Sequence, residues 1–300
     1  MGQKIFLGLI TIFAFILLGS ADFLESRDSK KPKIYISADI EGIAGVVKSA
    51  FGPGDFEYEK ARRLMTAEVN AAIEGCLEAG AGEIVVSDSH GNCLNIIPDE
   101  LHEAAVLVRS FPRPLDMMDG IDETFDGVIF IGYHPKEGTV LANISHTMFG
   151  RFFEIRLNGI AVSEAIFNAA IAGHFNVPII MITGDQHVAR EARKFFGPVE
   201  TVISKESRGY FSAKSPHPNV IQKEIKEKSK KAVRRINEIK PFRLESPIKM
   251  EMIFKYTIDA EALSYFPWFK RKNAKTIHVE VDNMIEAAGI IVGLGSINAR

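Results

Sequence analysis

From Lys33 onward, short apolar runs alternate with amphipathic helical patterns, and no other property of the chain restricts its fold as tightly. Residues 34–38, 83–86, 105–108, 127–131 and 177–182 read as strands. Between the first two, Ala61, Leu64, Met65, Val69, Ala72, Ile73 and Cys76 recur at three- and four-residue steps. That spacing predicts a helix over 58–79, which Gly80 and Gly82 end. Further helices are expected over 162–172 and 187–195, with a hairpin over 151–157 turning at Asn158-Gly159. Strands alternating with helices imply an α/β domain, with a largely parallel sheet and flanking helices, over 33–200. The tail changes character. Residues 221–238 predict a charged helix, read as a solvated face because Glu224 and Glu227 interleave with its lysines. Strands over 250–256 and 276–281 then suggest a smaller α+β part over 201–300, whose boundary can be discontinuous.

In open α/β sheets, ligands bind beyond the carboxyl ends of the strands. Here those ends carry Asp39-Ile40-Glu41-Gly42, Ser87-Asp88-Ser89-His90, Gly132-Tyr133-His134 and Gly184-Asp185. Each piece alone has a structural explanation. Acidic residues cap helices, single histidines form hydrogen bonds in cores, and Glu164 at a helix start complements the dipole. Asp88 is read as orienting His90 or capping the next segment. Taken together, mixed imidazole and carboxylate donors suit Zn2+ or a similar ion. A carboxylate such as Asp39 can bridge two metals about 3.5–4 Å apart. His146, in the loop Ile144-Ser145-His146-Thr147, has no sequence neighbour that explains it structurally.

A net charge of -2 gives no global field for nucleic acid or an anionic membrane. The two cysteines cannot form a disulfide framework. Cys93 is expected as an exposed loop thiol, with a ligand role or a Cys76–Cys93 disulfide as alternatives. At the N-terminus, Lys4, the apolar run 5–18 and Gly19-Ser20-Ala21 match a signal peptide cleaved after Ala21, followed by a linker over 22–32. The expectation is export, with no stable membrane insertion once processed. The apolar run is shorter than the roughly 20 residues a span needs, and an uncleaved anchor is the alternative.

In order and approximate spacing, Asp39-Ile40-Glu41-Gly42-Ile43-Ala44-Gly45, Ser87-Asp88-Ser89-His90, Gly132-Tyr133-His134, Ser145-His146 and Glu164 resemble the binuclear-zinc D-aminopeptidase family. The resemblance runs from about residue 33 to about residue 292. It implies two zinc ions per subunit, with Asp39 shared and Glu41, His90, His134 and Glu164 completing the ligands. It further implies a catalytic His146, hydrolysis of small D-amino-acid-containing peptides or amides by a metal-activated water, and a homo-oligomer. Ser163 before Glu164, where glycine is expected, Ser87, where asparagine is usual, and Pro135 depart from the pattern without removing a ligand. Two other classes share parts of it. A two-metal phosphoesterase uses similar ligands, but Asp-x-Glu stands where Asp-x-His is expected, and His90-Gly91-Asn92 reverses the Asn-His order. A non-catalytic solute- or nucleotide-binding module needs a glycine-rich first loop, whereas this loop carries Asp39 and Glu41 and no GxGxxG.

Overall fold

The computed structural model describes residues 30–48 and 56–297. The expected signal peptide lies outside the described residues. The chain runs β1 (Lys33–Ala38), α1 (Phe56–Glu78), β2 (Glu83–Asp88), β3 (Ala105–Val108) and β4 (Gly127–Tyr133). Next come β5 (Phe152–Leu157), β6 (Ile160–Val162), α2 (Glu164–His174), β7 (Ile179–Asp185) and α3 (Gln186–Phe196). β8 (Glu200–Gly209), β9 (Ser212–Lys214) and α4 (Pro218–Arg234) follow. The chain closes with β10 (Ile248–Phe254), α5 (Thr257–Leu263), β11 (Lys270–Arg271), β12 (Thr276–Val281) and α6 (Met284–Ile297).

The large sheet has the order β3-β2-β1-β4-β7-β8-β9 and is parallel through β8, as the alternating pattern implied. β9 is antiparallel, returning from β8 through a tight turn. Successive side chains of a strand point to opposite faces, and β1 uses both. Ile34 and Ile36 pack with Met65 and Val69 of α1 and Ile221 and Ile225 of α4. Tyr35 faces the other way, into a core shared with Ile166 and Ala169 of α2 and Met250 and Met252 of β10. The large sheet is therefore covered on both faces, which is why its central strands read as continuous apolar runs.

The second sheet, β11-β12-β10-β5-β6, is antiparallel throughout. Its strands come from both sides of residue 200, so the smaller part is discontinuous in sequence. β8, β9 and α4 extend and cover the large sheet, while the β5–β6 hairpin leaves the first segment to pair with β10. The hairpin turns at Asn158 and Gly159, both at positive φ, as the sequence suggested. Four lysines of α4 face acids: Lys226 pairs with Glu74 and Glu78, Lys230 with Glu78, and Lys228 and Lys231 with Glu200. No described helix is long and apolar enough to cross a membrane.

The loops that follow β1 and β4 cross at backbone distance. Asp39 N donates to Ile131 O at 2.8 Å and Gly42 N to Gly132 O at 2.6 Å. A Cβ on Gly42 would lie 2.1 Å from Tyr133 O, and one on Gly132 (φ 70°) would lie 2.3 Å from Asp39 O. Both contacts are with backbone, which cannot swing away. Gly132→Ala is therefore expected to destabilise the fold by more than about 1 kcal/mol, read as a lowered thermal midpoint. An unchanged midpoint would show that the crossing tolerates a side chain.

Candidate metal centre

The crossing places Asp39 and Glu41 beside His134, which follows β4 directly. His90 arrives two residues beyond β2, Glu164 is the first residue of α2, and His146 comes from the loop between β4 and β5. His90 Nδ1 lies 2.8 Å from Glu41 Oε2 and 3.4 Å from Asp39 Oδ1. His134 Nε2 lies 3.5 Å from Asp39 Oδ2 and 3.3 Å from Glu164 Oε2. His146 Nε2 lies 3.6 Å from Glu164 Oε1 and 4.0 Å from Glu41 Oε1, and its ring stacks on His134 at 3.9 Å. All six sequence-selected side chains thus meet at one place, on the wall of a cleft of about 770 Å³ or directly behind it.

Neighbouring groups fix the orientation of these donors. Nδ1 of His134 lies 3.0 Å from Pro135 O, and Nδ1 of His146 lies 2.9 Å from Ile144 O. A carbonyl can only accept, so each Nδ1 carries a hydrogen and each Nε2 faces the cluster, as a metal donor once any proton it holds is released. Asp88, excluded above from the ligands, accepts from Asn95 N and Ile96 N, while Asn95 Nδ2 donates to His90 O at 2.6 Å. It shapes the His90 loop. Ser163 caps α2: its Oγ accepts from Ile166 N at 3.2 Å and donates to Glu191 Oε2 at 2.5 Å. Serine in place of glycine thereby secures the helix that carries Glu164.

Two buried charged residues that the sequence reading did not single out hold the loop after β1. Lys205 Nζ donates to Glu41 O and Val46 O, and Glu68 Oε1 accepts from Ala44 N at 2.9 Å. Burial drives the Lys205 amine down to about 8 and the Glu68 carboxyl up to about 8. Glu68 was detectable in principle, as an acid three residues after Met65 on the apolar face of α1. Lys205 left no clean period-two signal, because the β7–β8 register shifts beside it.

The donor set fits a metal. Asp39 Oδ2, Glu41 Oε2 and His134 Nε2 are buried and none makes a hydrogen bond. Buried polar atoms rarely go unsatisfied; the basic groups beside these three are imidazoles, His90 Nδ1 lying 2.8 Å from Glu41 Oε2 without making a hydrogen bond to it, and a bound cation would satisfy all three. The ligand atoms of Asp39, Glu41 and His134 lie within 4.8 Å of one another, as do those of His134, His146 and Glu164. The electrostatics agree. Burial disfavours a charged His134, yet Glu164 and Asp39 lift it to about 10; Glu41 and Asp39 raise His90 against the same opposition. Burial and then Glu41 raise Asp39. Burial and then His134 lower His146.

One strand-end acid was not among the selected ligands, and one expectation, for Cys93, needs correction. Asp185 stands at a strand end but serves as the N-cap of α3, accepting from His187 N and Val188 N. Cys93 is buried, not exposed: its φ of 56° turns it inward, where Arg113 Nη2 reaches its sulfur at 3.5 Å. Both cysteines are free thiols. A second cleft of about 860 Å³, bounded by Phe266, Trp268, Val281 and Leu294, contains none of the six site residues.

The family described as D-aminopeptidase matches residues 33–292. The chain is 30% identical over 257 residues to the D-aminopeptidase of Bacillus subtilis (strain 168), covering 85% of this chain and 93% of that protein. The fold is similar to that of a solved structure described as the Zn-dependent D-aminopeptidase DppA from Bacillus subtilis, a self-compartmentalizing protease. The TM-score is 0.84 at 29% identity, over 89% of this chain and 99% of that one.

His134 and His90 hold protons at neutral pH before a metal arrives, and a metal ligand must release them. Zinc binding to the chelator-stripped protein is therefore expected to liberate protons and to weaken as pH falls from 8 to 6, on the order of tenfold or more. Calorimetry in buffers of different ionisation enthalpy measures both. Binding without proton release would contradict the site. Lys205→Met should also lower zinc affinity by about 10–100-fold, the usual loss when a ligand's support is removed, as read by competition with a chromogenic chelator.

Proposed function

The chain belongs to the D-aminopeptidase family, and from that premise we propose that it is a zinc-dependent aminopeptidase acting on small peptides or amino-acid amides, with D-configured residues preferred. The observation that carries this reading is the convergence of Asp39 Oδ2, Glu41 Oε2 and His134 Nε2, buried together without hydrogen-bond partners. Asp39, Glu41, His90, His134 and Glu164 would hold a pair of zinc ions, Asp39 shared between them. Bound zinc lowers the pKa of water and polarises a carbonyl.

The protein's own part in the reaction centres on His146. Its Nδ1–H is tied to Ile144 O, and its lowered basicity keeps Nε2 neutral at pH 7. Nε2 can then accept the proton released as water attacks the scissile carbonyl and return it to the departing amine as the C–N bond breaks. Glu164 Oε1, which accepts from Met148 N at 2.6 Å, lies close enough to orient that imidazole.

The relative described as self-compartmentalizing supports a homo-oligomeric assembly for this chain as well. Export through residues 1–21 is part of the same proposal and rests on the sequence pattern there. An exported enzyme of this class would meet short peptides outside the cytoplasm. Amide hydrolysis is favoured over phosphate-ester hydrolysis by the family match and by Asp-x-Glu after β1.

Zinc analysis combined with D- and L-alanine amide assays tests this reading. The expected result is about two zinc ions per chain, faster hydrolysis of the D-amide and none of a phosphate ester. A zinc-loaded protein inert to both amides would sink it. His146→Ala is expected to keep its zinc and lose about 10²–10⁴ in turnover. Loss of zinc would reassign His146 as a ligand, and near-normal turnover would remove it from the reaction.

A further inference from the structure

An aminopeptidase must recognise a free α-amino group, which is a cation at neutral pH. Once two dications are bound, the proposed centre is a poor place for it. Asp39, Glu41 and Glu164 contribute three negative charges against four positive ones, leaving a net positive site. An ammonium group beside such a centre needs a carboxylate that coordinates no metal. The cleft wall contains one in Asp116.

Asp116 opens a single helical turn, Asp116–Met118, below the sheet edge. Its backbone holds that turn, with Asp116 N donating to Arg113 O and Asp119 N to Asp116 O. The turn does not need its side chain. The carboxylate that closes the turn belongs to Asp119, whose Oδ1 accepts from Leu115 N at 3.3 Å. Arg113, three residues earlier, spends its Nη2 on Asp88 O and Cys93 Sγ; its Nε and Nη1 make no hydrogen bond, and its charge partly offsets the burial of the Asp116 carboxyl without pairing with it. Among the described residues, no hydrogen bond or ion pair reaches the Asp116 carboxylate; the charges of Arg113, Glu164 and Asp119 act on it from a distance.

The backbone supports the same reading. Asp116 sits at φ 51°, a left-handed conformation that glycine adopts more easily. Structures retain such conformations for a non-glycine residue mainly where the surroundings impose them, often at functional sites. Burial lifts this carboxyl to about 6, so it is still largely ionised at neutral pH. A half-buried anion in the same cleft as His146, Glu41 and Glu164, with the Arg113 charge nearby but no ion pair to it, leaves its carboxylate free to meet a cation from the substrate.

We propose that Asp116 binds the protonated α-amino group of the substrate and so restricts the enzyme to unblocked N-termini. The inference rests on the aminopeptidase reading above and deepens it. Asp116 is a specificity-determining residue: it touches the ammonium end of the substrate and leaves the reacting carbonyl to the metal centre and His146.

The test compares D-alanine amide with N-acetyl-D-alanine amide, using wild type, Asp116→Asn and Asp116→Gly. Glycine suits the backbone at φ 51° and guards against a folding artefact. For D-alanine amide, both variants are expected to raise KM about ten- to a hundredfold, the worth of a charge-assisted hydrogen bond. Zinc content should be unchanged and kcat little altered. Inhibition by D-alaninol, an amine with no bond to hydrolyse, should weaken by the same factor. Asp116→Glu should recover part of both, and the preference for the free amine over the acetylated amide should collapse in Asn and Gly. Variants that keep the wild-type KM and the wild-type discrimination would overturn the assignment. So would a loss confined to kcat or accompanied by loss of zinc. A zinc-loaded wild type inert to both amides would overturn the aminopeptidase reading itself and this inference with it.

Discussion

Three carboxylates, those of Asp39, Glu41 and Glu164, are buried around two stacked imidazoles, and the structure around them is arranged to hold them there against their mutual repulsion. Two like unit charges about 4 Å apart repel by roughly 4 kcal/mol at an effective dielectric near 20. Among the described residues, no lysine or arginine forms an ion pair with any of the three; their basic partners there are His90, His134 and His146. The protein meets the problem mechanically. The glycine-only crossing of the β1 and β4 loops, the Lys205 ammonium under Glu41 O, and the Met148 amide on Glu164 each restrain one carboxylate. A cluster braced in this way is preorganised for multivalent cations, because the work of bringing the donors together is done during folding.

The supporting contacts also decide which chemistry each donor offers. Pro135 O and Ile144 O take the Nδ1 hydrogens of His134 and His146, so both rings present Nε2 to the centre. The two imidazoles nevertheless differ in basicity. His134 faces Glu164 and Asp39 and is raised; His146, stacked on His134, is lowered by burial and by that neighbour. The split separates a strong donor suited to a metal from a neutral ring suited to moving a proton. One environment, built from the same three carboxylates, produces both.

Much of this was legible in the sequence because its signals are local. Alternating runs and helical spacing place β1, α1, β4 and β7, and a strand's carboxyl end is where α/β sheets bind ligands. Asp39, Glu41, His90, His134, His146 and Glu164 were therefore identifiable one by one, and the structure brings them together. What escaped depends on distant pairing. Which sheet takes β8 and which takes the β5–β6 hairpin is set by register across the two sheets, which no local pattern carries. Cys93 looked exposed because its loop is polar, and Arg113, twenty residues away in sequence, is what encloses it. Lys205 lies 164 residues from the Glu41 carbonyl it supports, and nothing near it in sequence points there.

The proposed metal centre requires Asp39, Glu41, His90, His134 and Glu164 to form one cage. X-ray diffraction from crystals of the zinc-loaded protein, collected on both sides of the zinc absorption edge, locates those ions directly. Two anomalous peaks are expected about 3.5–4 Å apart, with Asp39 between them and Glu41, His90, His134 and Glu164 around them. Peaks that avoid Asp39 and His134, or none at full zinc loading, would contradict it.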